Sequence, residues 1–195
     1  ENPRDSVELL FVNRLRRAED RNAGYELMDR HFDRKTMAEI YGNDSSENKF
    51  YSYNELLKEV NKFSNVLKSL GAKKGDRVCL YMQMIPELAI AMLACARIGA
   101  IHSIVFGAFS SDSLRDRIND SKCKFLITQD TGIRGQKLDI PMKSNANKAL
   151  DETPSIKSVI VVRRTNYEVS MTNGRDHWWD VLMSEANANC KPESM

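Results

Sequence analysis

Three short apolar runs recur about every two dozen residues between Gly75 and Lys137: Arg77–Met82 (RVCLYM), Ile101–Phe106 (IHSIVF) and Lys124–Thr128 (KFLIT). Two stretches of helical pattern separate them. The runs do not alternate cleanly between apolar and polar, which suits strands covered on both faces, and crossover helices between such strands make the sheet parallel. The expected fold class is therefore α/β, a layered and mostly parallel sheet with helices on both faces.

The first crossover opens at Pro86, tolerated at the first helical position because its missing N–H has no partner there, and stops at Gly99. Leu88 to Ala96 is apolar around most of its circumference, so this helix is expected to be buried on several sides. The second starts at the N-caps Ser110 and Ser111 and runs to about Asp120, with Asp112 near its positive end and Leu114 and Ile118 facing inward.

Outside this unit, Asp5–Arg21 carries Val7, Leu10, Phe11 and Leu15 at helical spacing among acids and bases, a solvated packing helix. Gly42–Lys49 reads as an exposed loop and Phe50–Tyr53 as a brief strand. Asn54–Leu70 is an amphipathic helix ended by Gly71. Asn145–Leu150 is a weak helix, Ser158–Val162 a fourth strand and Asp176–Glu185 a last helix, after which Asn187–Met195 shows no pattern. The domain reading is a helical extension and loop over 1–48, then an α/β subdomain over 49–195, part of a larger domain.

Twenty-nine Lys and Arg against 27 Asp and Glu leave a net charge of +2, so composition makes no case for nucleic acid or an anionic membrane as partner. Pro86, Glu87, Arg97, Gly99 and His102 interrupt the most apolar region, and no membrane span is expected. Four dispersed cysteines (Cys79, Cys95, Cys123, Cys190) and three dispersed histidines (His31, His102, His177) lack metal-ligand spacing. Buried free thiols and no targeting segment point to the cytoplasm. The chain starts without methionine, which suggests trimming or a piece of a longer protein.

The main functional candidate is Asp130–Lys137, at the carboxyl end of the third run, where ligands of open α/β sheets dock. Its glycines allow close backbone approach, Arg134 offers a planar fork for phosphate, and Lys137 adds a point charge. From the residues alone, Arg134 and Lys137 read first as ordinary solvated loop charges and only second as a phosphate site. The P-loop pattern fails, since Leu138 follows Lys137, and Gly107-Ala-Phe does not make a dinucleotide fingerprint. His102 receives no catalytic role, Asp29-Arg30-His31 reads as a local salt-bridged cluster, and Trp178 and Trp179 as packing anchors.

Several segments together resemble the AMP-forming acetyl-coenzyme A synthetases: GDRVCLYM from Gly75, MIPE from Met84, AMLACARIGA from Ala91, VFGAFS from Val105, DRIND from Asp116 and GRDHWW from Gly174. The likeness runs from about Asn22 to Met195. It implies an enzyme that joins a carboxylate to ATP as an acyl-adenylate, releasing diphosphate, and passes the acyl group to coenzyme A, with small-molecule substrates and Mg2+. The family's coenzyme A loop falls on Arg134, Gly135, Gln136 and Lys137 and its Gly-Gly turn on Gly107 and Ala108, so the resemblance implies these six as the cofactor-binding residues. Gln136 and Ala108 stand where the family usually has glycine. The phosphate loop, metal ligands and catalytic lysine of the family lie beyond this region, so no catalytic or metal residue is assigned here. The expected protein is the amino-terminal part of an acetate–CoA ligase, inactive alone and completed by the remainder of its own chain. A propionate ligase and a non-catalytic coenzyme A-binding module are the alternatives.

Overall fold

The computed structural model describes residues 37–40 and 49–194. The expected helix Asp5–Arg21, the Asp29-Arg30-His31 cluster and all but the last residue of the loop Gly42–Lys49 lie outside the described residues. Strands β1 (Met37–Ile40) and β2 (Lys49–Ser52) form a small antiparallel pair. Helix α1 (Tyr53–Ser69) follows at once because Ser52 caps it: its hydroxyl accepts from the Glu55 N–H, and the Glu55 carboxylate reaches back to the Ser52 N–H at 2.8 Å.

The centre is a five-stranded sheet in the order β4-β3-β5-β8-β9, with every neighbouring pair parallel. Its strands are β3 (Arg77–Met82), β4 (Ile101–Phe106), β5 (Phe125–Gln129), β8 (Ser158–Val162) and β9 (Asp176–Trp178). The connecting helices are α2 (Pro86–Arg97), α3 (Ser111–Ser121) and α4 (Met142–Leu150), and α5 (Trp179–Glu185) follows β9.

Alternate strand residues supply two cores. Val78, Leu80, Met82, Ile127 and Ile160 pack under α1, α2 and α5 on one face. Cys79, Tyr81, Leu126, Val159 and Val161 pack under α3 and α4 on the other. Each fully buried aliphatic or aromatic side chain contributes about 1.5–3 kcal/mol, enough to hold both faces. Helices on both faces of a parallel sheet are what the apolar runs predict, and Leu114 and Ile118 do face inward. The edge strand β4 is less covered, leaving Ile101, Ile104 and Phe106 exposed.

Three expectations need correction. The third strand runs one residue later than the apolar run, because Gln129 still pairs with Val162 across the sheet. The last helix starts at Trp179, not Asp176. Asp176-His177-Trp178 instead pairs with Val159–Val161, since the buried Asp176 carboxylate is taken by Lys143 and Arg175 and cannot serve as a helix cap. The cationic loop is a hairpin, described below.

The patternless tail is pinned by side chains. Asn65 Nδ2 donates to the carbonyls of Asn187 and Asn189 at 2.7 and 2.9 Å, and Arg97 Nε and Nη2 donate to that of Cys190 at 2.9 and 2.7 Å.

Candidate functional site

β5 delivers the chain to the carboxyl edge of the sheet, where Gly132–Arg134 (β6) and Lys137–Ile140 (β7) form an antiparallel hairpin. Arg134 and Lys137 are directly paired across it, with Gly135 and Gln136 as the two-residue turn. Gly135 has φ +58° while Gln136 has no positive φ. This is the requirement of a turn with glycine only at its first central position, so Gln136 can replace a glycine without strain. Ala108 likewise has no positive φ and is exposed, so the backbone there has no need of a second glycine.

Opposed residues of a ladder project their side chains to the same face, so the guanidinium and the ammonium stand together. Both residues are exposed, and neither forms an ion pair among the described residues. Like charges set opposite each other disfavour the hairpin, and an anion between them would relieve that repulsion.

The base of the hairpin is fastened by polar side chains that the sequence reading did not single out. Asp130 is fully buried, and its carboxylate accepts from the N–H groups of Thr131 (2.7 Å), Arg164 (2.9 Å) and Thr165 (3.2 Å), tying the tips of β5 and β8. The Thr131 hydroxyl donates to the Leu138 carbonyl at 2.9 Å, closing the far strand. Gln83, just beyond β3, pairs its side-chain amide with both polar groups of Ile133 at 2.8 Å each.

The turn at Gly107 sits beside this frame. Gly107 is buried, and a Cβ there would stand 2.9 Å from Met142 Cε and 3.3 Å from Gln83 Cγ. A Cβ at Gly132 would stand 3.0 Å from Gln83 Cδ. Gly107 and the hairpin base therefore flank one side chain, Gln83. Two residues earlier, the Tyr81 hydroxyl donates its one hydrogen to the Phe109 carbonyl at 2.8 Å, with the Gly107 carbonyl beside it at 3.3 Å. Burial pushes its phenol pKa up, so it stays a neutral donor.

The other candidates are structural. Burial pushes the His102 imidazole down, leaving it neutral within β4. The GRDHWW segment is an anchor: Asp176 meets Lys143 and Arg175, Trp178 lies under the Arg163 guanidinium at 4.0 Å, and Trp179 stacks on Phe63 with ring centroids 3.9 Å apart. No group of three or more metal-ligating side chains occurs among the described residues. The buried polar residues Gln129 and Asp130, closing an apolar strand, were the available sign of the fastening network.

Residues 28–195 match the profile of the AMP-binding enzyme family. The chain is 60% identical over 154 residues to the acetyl-coenzyme A synthetase of Rubrobacter xylanophilus, covering 79% of this chain and 24% of that protein. It is 49% identical over 177 residues to acetyl-coenzyme A synthetase 2 of Pseudomonas aeruginosa, covering 89% of this chain and 27% of that protein. It thus spans about a quarter of the length of these relatives. The fold is similar to that of the Brucella canis acyl-CoA synthetase, with TM-score 0.73 and 22% identity, covering 91% of this chain and 30% of that one.

Proposed function

Because the chain belongs to the AMP-binding enzyme family, we propose that it forms the amino-terminal part of an AMP-forming acetate–CoA ligase and carries the hairpin that holds the phosphates of coenzyme A. The observation that carries this reading is the cross-strand pair of Arg134 and Lys137 at the carboxyl edge of a parallel sheet, with no acidic partner among the described residues. Arg134 grips a phosphate oxygen pair through its planar fork, and Lys137 adds charge without demanding one geometry. Gly135 keeps the turn free of a Cβ where a ligand approaches. ATP and Mg2+ supply activation of the acetate carboxyl elsewhere in the complete protein. These residues act in the second half-reaction, receipt of the acetyl group by the thiol.

The exposed Ile101, Ile104 and Phe106 of β4 support a further part of the reading, that the remainder of the same chain packs there. With relatives about four times as long, there is ample chain to cover that face. The four buried free cysteines support a reducing, cytoplasmic setting, and no described helix is long and apolar enough to cross a membrane.

The test uses the full-length protein that contains this chain. Arg134→Ala should raise KM for coenzyme A about tenfold or more, the loss of one charge-assisted contact, with acetate-dependent ATP–pyrophosphate exchange largely retained. Equal loss in both assays would refute the assignment. Parallel assays with propionate as acid distinguish the rival ligase, and a full-length protein that binds coenzyme A with no exchange activity would be the non-catalytic module.

A further inference from the structure

We propose that Gln83 is the positioning residue of the cationic hairpin, fixing where Arg134 and Lys137 stand by pairing with the backbone of Ile133. The proposal rests on the coenzyme A reading above and deepens it. Between the pairs Gly132–Ile140 and Arg134–Lys137 the ladder sets one residue of β6, Ile133, opposite two of β7, Leu138 and Asp139, so β7 carries the bulge. Gln83 takes both polar groups of Ile133. Its Nε2 donates to the Ile133 carbonyl and its Oε1 accepts from the Ile133 N–H, both at 2.8 Å, as a neighbouring peptide would.

The amide has one orientation. Gln129 Nε2 also donates to Gln83 Oε1, at 3.2 Å, so a flipped Gln83 would set donor against donor at both Ile133 and Gln129. The partner is fixed in turn, since Gln129 Oε1 accepts from the Gln83 N–H at 2.9 Å and its Nε2 donates to the Thr131 carbonyl at 2.9 Å. Gly132 permits the approach, because a Cβ there would meet Gln83 Oε1 at 3.0 Å. The chain thus reaches Arg134 from Ile133, the residue facing the bulge, which is held on both of its polar groups. A binding hairpin gains affinity when its charges are held in place before the ligand arrives.

The experiment compares Gln83→Leu, which removes both bonds to Ile133, with the near-isosteric Gln83→Glu, which keeps the acceptor and loses the donor, in the full-length protein. Gln83→Leu should raise KM for coenzyme A about tenfold and Gln83→Glu by less, with kcat at saturating coenzyme A within about twofold. In the free protein, amide exchange across residues 132–137 should quicken in Gln83→Leu. Arg134→Ala, run alongside, separates the two ideas. If Arg134→Ala raises KM and Gln83→Leu does not, the positioning role is overturned. It is also overturned if Gln83→Leu lowers ATP–pyrophosphate exchange as much as coenzyme A use, or leaves amide exchange at 132–137 unchanged. If Arg134→Ala leaves KM unaltered, the coenzyme A reading fails, and quickened amide exchange in Gln83→Leu still upholds Gln83 as the brace of the hairpin.

Discussion

Lys143 Nζ and Asp176 Oδ2 lie 2.8 Å apart, and both side chains are wholly shielded from solvent. The pair joins α4 to β9 at the far end of the sheet and is completed by the Ser170 carbonyl at 2.9 Å from Nζ and by Arg175 Nε at 2.6 Å from Asp176 Oδ1. Removing one partner strands the other charge in the interior. Lys143→Ala or Asp176→Ala should each cost about 3–5 kcal/mol in urea unfolding, and the double change to an apolar pair should cost less than the sum.

The same carboxylate makes stability depend on pH. Burial pushes the Asp176 carboxyl up, but hydrogen bonds from Arg175, Lys143 and the Thr172 N–H outweigh it and hold the group below its ordinary value. The unfolded chain therefore takes up the proton first as pH falls. The contribution is present above the unfolded value of about 3.9 and is lost as pH drops through the lower folded value. Urea midpoints should fall below about pH 4, and Asp176→Asn should flatten part of that fall.

Two glycines that touch Gln83 should respond differently to one added methyl. At Gly107 the nearest atom is the free end of Met142, which can swing aside, whereas at Gly132 it is an amide held by Ile133 and Gln129. Gly132→Ala should lose about 1–3 kcal/mol and Gly107→Ala distinctly less, as read by thermal unfolding.

The uncovered edge strand offers a contrast between contexts. Phe106 is 60% exposed in this chain. In the isolated 195-residue chain Phe106→Ser should change stability by less than about 0.5 kcal/mol and reduce self-association in sedimentation runs. In the full-length protein, where the rest of the chain is proposed to cover it, the same change should cost about 2 kcal/mol or more.

Apolar continuity made the sheet readable. Arg77–Met82 and Ser158–Val162 are strands with the limits their composition suggests, because a strand buried on both faces is apolar at nearly every position, and Ile101–Phe106 keeps its expected limits although as the edge strand it leaves Ile101, Ile104 and Phe106 exposed. Asp176-His177-Trp178 was not readable as a strand, since its pairing depends on Val159–Val161 and its first residue is neutralised by Lys143, 33 positions away. The cationic hairpin was legible as residue types and as a place at the sheet's carboxyl edge. Its turn geometry and the bracing by Gln83, Gln129 and Asp130 were not, because those bonds join segments distant in sequence and glutamine carries no signal of its partner.

Tyr81 and Gln83 leave one strand on the same side, the first holding the Gly107–Phe109 turn and the second the hairpin base. Both segments are consequently registered to the end of one strand, whose ordering entropy is spent when β3 joins the sheet.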